Sequence, residues 1–156
     1  FRLVLFAIIF QKPYCYCTNL TDINIFGELA LGLIAIYAYE QLFKQQRPLL
    51  AWLPALIFGI MAQLWNFQYG LYGIALLITG YVFADQQWKL SAAWLFINSI
   101  PLWGLLDMGN SQILSLLALP LIFVYNGNRG RGNKWLFYGF YCLHIPALWL
   151  INIYLH

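Results

Sequence analysis

The chain has 156 residues, of which 63% are hydrophobic and only 8% carry a charge. A soluble domain of this length needs about a quarter charged residues to cover its surface, so the composition excludes an ordinary soluble protein and favours lipid as the solvent. The net charge of +3 is small, and we expect no nucleic acid partner. The cysteines, Cys15, Cys17 and Cys142, are odd in number and show no paired spacing, which argues for neither a disulfide framework nor a metal site.

The apolar residues fall into seven segments separated by short polar or charged breaks. An α-helix needs roughly 20 apolar residues to cross a hydrocarbon core of about 30 Å. The predicted spans are residues 1–11, 24–43, 49–65, 69–84, 90–106, 113–125 and 135–155. We therefore predict an all-α fold, a polytopic membrane helix bundle with about seven transmembrane segments in one domain, residues 1–156.

The first segment is the shortest of the predicted spans. Its apolar run stops at Lys12 and Pro13, and we expect the helix to end there because proline lacks the N–H that a helix interior needs. The run covers about half the thickness of a bilayer and opens without an initiator methionine. We therefore expect a truncated first span in a chain that forms the C-terminal two-thirds of a longer protein.

The basic residues are divided unevenly between the two membrane faces. If the segments alternate across the membrane, one face carries only Lys12. The other face carries all the remaining basic residues, Arg2, Lys44, Arg47, Lys89, Arg129, Arg131 and Lys134. Because cytoplasmic loops are enriched in lysine and arginine, we predict that this face is cytoplasmic and that the C-terminus is external.

The last predicted span carries one histidine, His144, as its tenth residue. At 1.5 Å per residue this position lies about 15 Å deep, near the midplane of the bilayer. A neutral imidazole in an apolar pocket is typical of a general acid or base, so His144 is the catalytic candidate. The alternative is a histidine that hydrogen-bonds a neighbouring helix and stabilises the bundle.

An acidic residue, Glu28, lies about one turn inside the external end of the second span. Asn24 precedes it by four residues, and this spacing predicts that the two side chains share a helix face. Such a pair could position a substrate amine or hydroxyl. The alternative is an interfacial carboxylate in contact with water.

The segment before the last span, residues 125–134, combines basic side chains with glycines. Glycine allows close backbone approach, and backbone N–H groups together with arginine forks can cradle a phosphate-sized anion. The candidate anion ligands are Asn126, Gly127, Arg129, Arg131 and Lys134. The alternative is that these cations serve only to fix the membrane topology.

The same part of the chain resembles a known family. The run YNGNRG followed by LFYGFYCLH is similar to the C-terminal signature of the TraX family of integral membrane proteins, in which a Tyr-Asn-Gly turn precedes an aromatic helix with a histidine. The run NFQYGLYGIALLITGYVF is similar to another span of the family. RLVLFAIIFQKPY and NIFGELALGLIAIY are similar to its middle helices. Cys142 stands where the family usually has proline.

The resemblance implies membership of a group of multi-span acyltransferases that use cytoplasmic acyl-CoA. The founding member is associated with N-terminal acetylation of the conjugative pilin subunit. We therefore expect a protein of the bacterial inner membrane that transfers an acetyl group from acetyl-CoA, without a metal, to an amine or hydroxyl acceptor such as a pilin N-terminus.

The resemblance also assigns expected roles to individual residues. His144 matches the family histidine and is the expected catalytic residue. Arg2 matches a basic residue of the family and joins the basic turn as an expected ligand of the CoA phosphates. Tyr138 and Tyr141 match the aromatic positions of the last helix and are expected to contact the substrate, as are Asn24 and Glu28.

Two other functions are compatible with the sequence. The first is an ion- or proton-coupled carrier in which Glu28, Asn98 and His144 line a pathway between helices broken by proline. The second is a non-catalytic assembly factor that holds a hydrophobic client such as a pilin in the bilayer. Proton-coupled flux without CoA would favour the carrier. Function that survives His144→Ala would favour the assembly factor.

Overall fold

The computed structural model describes residues 2–99, 110–124 and 133–155, apart from the side chains of residues 110–113 and 134. Within these ranges the chain is all-α, as predicted, and its extended backbone is limited to one isolated bridge between Ile23 and Phe67. The helices are α1 Arg2–Thr18, α2 Ile25–Lys44, α3 Leu53–Leu64, α4 Gly70–Val82, α5 Gln87–Ser99, α6 Ala118–Val124 and α7 Lys134–Leu155. Two 3₁₀ helices, Leu50–Trp52 and Asn110–Leu117, precede α3 and α6.

The expected end of the first helix at Lys12 and Pro13 is wrong. Helix α1 continues through Pro13 to Thr18. An interior proline costs about 3 kcal/mol, because it removes one helical hydrogen bond and crowds the preceding turn. Tertiary packing offsets that cost, since Tyr14 is fully buried beyond the proline and Tyr16 lies against Trp149 with ring centroids 5.3 Å apart.

The centre of the fold is the packing of α2 against α3 and α4. Its core contains five buried residues, Leu31, Ala35, Ala62, Ile74 and Ile78. Two glycines allow the helices to approach closely, because a Cβ added at Gly32 or Gly59 would overlap a leucine of the neighbouring helix at 2.4 Å. Small residues at such contacts are typical of helices that pack in a membrane.

The predicted spans differ in how fully the structure supports them. Two helices are long and apolar enough to cross a membrane, Ile25–Lys44 and Trp135–Leu155, and three shorter apolar helices cover Leu50–Leu64, Gly70–Val82 and Leu114–Val124. In the predicted sixth span the α-helix has only seven residues and follows a 3₁₀ helix, so it covers about 10 Å of the roughly 30 Å required. Residues 100–106 of the predicted fifth span lie outside the described residues.

Helices α1 and α7 run parallel to each other. The aromatic contacts between them follow increasing residue number on both helices: Phe6 with Tyr138, Phe10 with Tyr141 and Tyr16 with Trp149. The start of α2 lies beside the middle of α1, since Asn24 Nδ2 donates to the carbonyl of Ala7 at 2.8 Å. Helices α1 and α7 are therefore shifted along the axis of α2. Arg2 therefore lies level with the middle of α2 and not, as the predicted topology required, beside Lys44.

Candidate functional site

A buried carboxylate borders a small cavity between α2 and α4. Glu28 is only 2% exposed. The cavity has a volume of about 280 Å³ and is lined by Ile25, Glu28, Leu29, Tyr69, Tyr72, Gly73, Leu76, Leu77 and Ser115, which together define the Glu28 cavity. The predicted alternative of a water-exposed interfacial carboxylate does not describe this position, because neighbouring helices cover it.

The backbone at the start of α4 fixes the orientation of Glu28. Its Oε2 accepts a hydrogen bond of 2.7 Å from the backbone N–H of Tyr69, whereas its Oε1 has no hydrogen-bond partner among the described residues. Gly73 makes room for the carboxylate, because a Cβ at that position would lie 1.9 Å from Oε1. One carboxylate oxygen is therefore anchored, and the other is buried against Gly73 without a hydrogen-bond partner among the described residues.

A hydroxyl network lies on the same side of the cavity. The Tyr72 hydroxyl lies 3.1 Å from Ser115 Oγ, and Ser115 Oγ lies 3.1 Å from Asn98 Oδ1. Asn98 Nδ2 donates to the carbonyl of Trp94, which leaves Oδ1 to act as the acceptor. The network joins α4, α5 and the second 3₁₀ helix, and it brings two hydroxyl groups to the wall of the Glu28 cavity.

Asn24 serves as the N-cap of α2. Its Oδ1 accepts from the backbone N–H groups of Phe26 and Gly27, and its Nδ2 donates to the Ala7 carbonyl and to Gln11 Oε1. These four bonds use the full hydrogen-bonding capacity of the amide within the protein. The predicted face shared with Glu28 is wrong, because the cap residue has an extended backbone (ψ 163°) and turns its side chain toward α1.

His144 lies on α7 with its ring oriented by its own helix. Nδ1 is 3.1 Å from the carbonyl oxygen of Phe140, and the imidazole stacks on the Phe140 ring at a centroid distance of 5.3 Å. A carbonyl oxygen can only accept, so Nδ1 carries the proton and Nε2 presents a lone pair. This orientation leaves Nε2 as the ring nitrogen that can exchange a proton with a reactant.

The His144 ring faces a wide apolar groove on α7. The groove has a volume of about 930 Å³, and the described residues that line it are Asn133, Trp135, Leu136, Phe137, Gly139, Phe140, Leu143, His144 and Ala147. All of these belong to α7 or directly precede it. His144 is therefore at a helix surface, whereas Glu28 is inside the helix packing.

Tyr138 and Tyr141 pack against α1 and the start of α2, and the Tyr141 ring also lies edge-on to the His144 ring at a centroid distance of 5.0 Å. Tyr138 stacks on Phe6 with ring centroids 4.5 Å apart, and Tyr141 packs edge-on against Phe26 at 4.8 Å. Both rings extend the core around Phe10 and Phe26. Packing is the role that the structure shows for these tyrosines, and their contact with a substrate stays a prediction.

Most of the predicted anion site lies outside the described residues. This applies to Asn126, Gly127, Arg129 and Arg131, and also to the side chain of Lys134. The backbone of Lys134 begins α7, and the exposed Arg2 begins α1. Because these helices run parallel, Arg2 and Lys134 lie at the same end of the pair.

Sequence reasoning missed several residues that build the Glu28 cavity. Tyr69 contributes a backbone N–H, Tyr72 and Ser115 contribute hydroxyl groups, and Gly73 contributes space. A signal existed only for Gly73, which lies in an apolar helix where glycine usually marks a close approach. Gln11 was also missed, although its side chain joins α1 to Asp22 and Asn24.

The comparisons with known proteins identify one family. The protein-family model described as TraX protein matches residues 1–152, nearly the whole chain. No curated protein and no solved structure matches the chain. The family and the two candidate spans together indicate a membrane protein. The chain therefore belongs to the TraX family.

Proposed function

We propose that the chain is a polytopic acyltransferase of the bacterial inner membrane that transfers an acetyl group from cytoplasmic acetyl-CoA to an amine or hydroxyl acceptor, of which a pilin N-terminus is one example. The observation that carries the proposal is the orientation of His144. With Nδ1 held by the Phe140 carbonyl, Nε2 is the basic nitrogen. Membership of the TraX family supports the same class of reaction through the resemblance described above.

The chemistry requires one group that moves a proton. Acetyl-CoA would supply a thioester carbonyl as the acyl donor. His144 Nε2 would accept the proton that the acceptor nitrogen or oxygen loses as it attacks the carbonyl carbon. The imidazolium would return that proton to the sulfur as the carbon–sulfur bond breaks, so histidine is regenerated and CoA leaves as a thiol.

The donor phosphates would bind at the end of the bundle where α1 and α7 begin. Arg2 is exposed there, and the basic segment directly precedes Asn133 and Lys134 in the sequence. This arrangement supports the predicted grouping of Arg2 with Asn126, Gly127, Arg129, Arg131 and Lys134 as phosphate ligands. In our proposal this end opens toward the cytoplasm, and the C-terminus lies outside.

The parallel direction of α1 and α7 supports a chain with about seven spans. The first and the seventh of seven alternating spans must run in the same direction, as these two helices do. The uneven distribution of the other basic residues supports the same topology, whereas Arg2 lies level with the middle of α2.

Binding of radiolabelled acetyl-CoA to the full-length protein in nanodiscs tests the proposal. We expect saturable binding that Arg2→Ala weakens about tenfold, a change of about 1.4 kcal/mol. Lys12→Ala is the matched control, because it removes an exposed cation from the same helix at a position far from the start of α1 and α7. Binding by the control should equal that of the wild type.

Two results would count against this function. Absence of binding at millimolar acetyl-CoA would remove the donor from the proposal. An equal loss in Arg2→Ala and Lys12→Ala would indicate general electrostatic attraction and no phosphate site at the start of α1.

A further inference from the structure

Glu28 is a buried acid without a compensating positive charge among the described residues. The ion pair in that part of the chain is formed by Glu40 and Lys44 at the other end of α2. Burying an unpaired carboxylate is costly, and buried charges are normally paired. Because Oε1 has no partner among the described residues and Glu28 lines the cavity, a positive ligand bound there would complete such a pair.

The lining of the cavity selects the chemical class of that ligand. An ammonium group has three N–H donors, and the residues that line the cavity include three with acceptor oxygens, Glu28, Tyr72 and Ser115. The remaining walls are aliphatic, from Ile25, Leu29, Leu76 and Leu77. They would surround a short alkyl chain. We propose that the Glu28 cavity binds a small primary alkylammonium ion.

A metal ion fits the cavity less well. Hard cations take about six or more oxygen ligands, usually with several carboxylates. Among the described residues no group of three or more His, Cys, Asp or Glu side chains comes together. A volume of about 280 Å³ leaves room for a small amine together with its alkyl chain.

This assignment does not rest on the proposed acyl transfer. Amine binding at Glu28 requires neither acetyl-CoA nor His144, which faces the separate groove on α7. The two proposals can therefore fail independently. Loss of acetyl-CoA binding would leave the Glu28 cavity unaffected, and loss of amine binding would leave the donor site unaffected.

Isothermal titration of the full-length protein in nanodiscs with propylammonium chloride, without acetyl-CoA, tests the proposal. We expect one saturable site whose affinity falls at least tenfold in Glu28→Gln. Glutamine keeps the size of the side chain and an oxygen for the Tyr69 N–H, but it removes the charge. Glu40→Gln is the matched control, since it removes an exposed acid from the same helix and should leave the affinity unchanged.

A second variant and three further probes keep the test decisive if Glu28→Gln does not fold. Ser115→Ala should weaken binding about threefold, because it removes one acceptor of three. Tetramethylammonium, which has the charge but no N–H donors, should not displace propylammonium. Equal affinity for propanol would overturn the assignment to a cation. Displacement by sodium ions at a similar affinity would overturn the assignment to an amine.

Discussion

The two candidate site residues, Glu28 and His144, lie in regions of opposite character. In the apolar stretch of α2 that contains Glu28, 28% of the residues are buried, whereas in the apolar stretch of α7 none of the residues are buried (0%). Glu28 is held by the backbone of a helix 41 residues away in the sequence, and His144 is held by a carbonyl four residues away in its own helix. The first group depends on tertiary packing and the second on local helix geometry.

This difference suits Glu28 to binding a ligand and His144 to reacting with one. An enclosed carboxylate can discriminate a ligand by size and charge, because its surroundings are fixed. An imidazole at an apolar helix surface is accessible to a large reactant that approaches through the bilayer. Four changes would test this contrast, and they are described from the largest expected effect to the smallest.

Replacing His144 with alanine should affect catalysis and leave stability nearly unchanged. We expect the rate of acetyl transfer to fall by about 10²- to 10⁴-fold, the usual contribution of a general base. The rate is measured as labelled acetyl transferred to a synthetic membrane-spanning peptide with a free amino terminus. Leu143→Ala is the control, because it changes an exposed neighbour in the same groove. Wild-type rates in His144→Ala would show that His144 is not the base.

Replacing Gly73 with alanine should affect stability strongly, because the new Cβ would lie 1.9 Å from Glu28 Oε1. We expect the free energy of unfolding to fall by about 1–3 kcal/mol, as is usual for an overpacked core. Denaturant unfolding in detergent measures the change. Gly80→Ala on the same helix has open space at its Cβ and should be neutral or stabilising by up to about 1 kcal/mol. Equal effects of the two changes would contradict the close approach at Gly73.

Replacing Asn24 with alanine removes the cap of α2 and its bonds to α1. We expect a loss of about 1–2 kcal/mol in the free energy of unfolding. Gln11→Ala removes the partner side chain, so the two changes should be non-additive by about 0.5 kcal/mol or more in a double-mutant cycle. Additive losses would show that Asn24 and Gln11 stabilise the protein independently.

Replacing Phe6 with leucine should loosen the contact between α1 and α7. The stack of Phe6 on Tyr138 contributes about 0.5–1.5 kcal/mol beyond its buried area. Hydrogen exchange of the α7 amides should therefore become faster while exchange in α4 stays unchanged. Phe96→Leu, at an exposed position of α5, is the control. Unchanged exchange in α7 would mean that other contacts hold this helix.

Several features of the fold were predictable because they follow from local sequence. The apolar segments and their polar breaks predicted helices α2, α3 and α4 to within a few residues. The same local reasoning failed at Pro13, where packing of the following tyrosines outweighs the proline penalty. It also failed at Asn24, where the cap geometry departs from the helical period.

At the candidate site, Glu28 itself was predictable from the sequence, but the residues around it were not. The sequence singles out a carboxylate in an apolar helix, because such a residue is costly in a membrane. It gives no indication that the Tyr69 N–H and the Ser115 hydroxyl border the same cavity, since these residues are far apart in the chain. Their meeting depends on how three helices and a 3₁₀ segment pack.

By itself the sequence therefore determined the all-helical fold, the apolar surface and the histidine of the last helix, because composition and periodicity act over a few residues. Only the tertiary structure decided which polar groups meet. It oriented one oxygen of Glu28 toward a backbone N–H and left the other buried without a partner among the described residues. It also displaced α1 and α7 along α2, so that Arg2 and Lys44 lie at different levels. Long-range packing sets these distances, and a local pattern does not contain them.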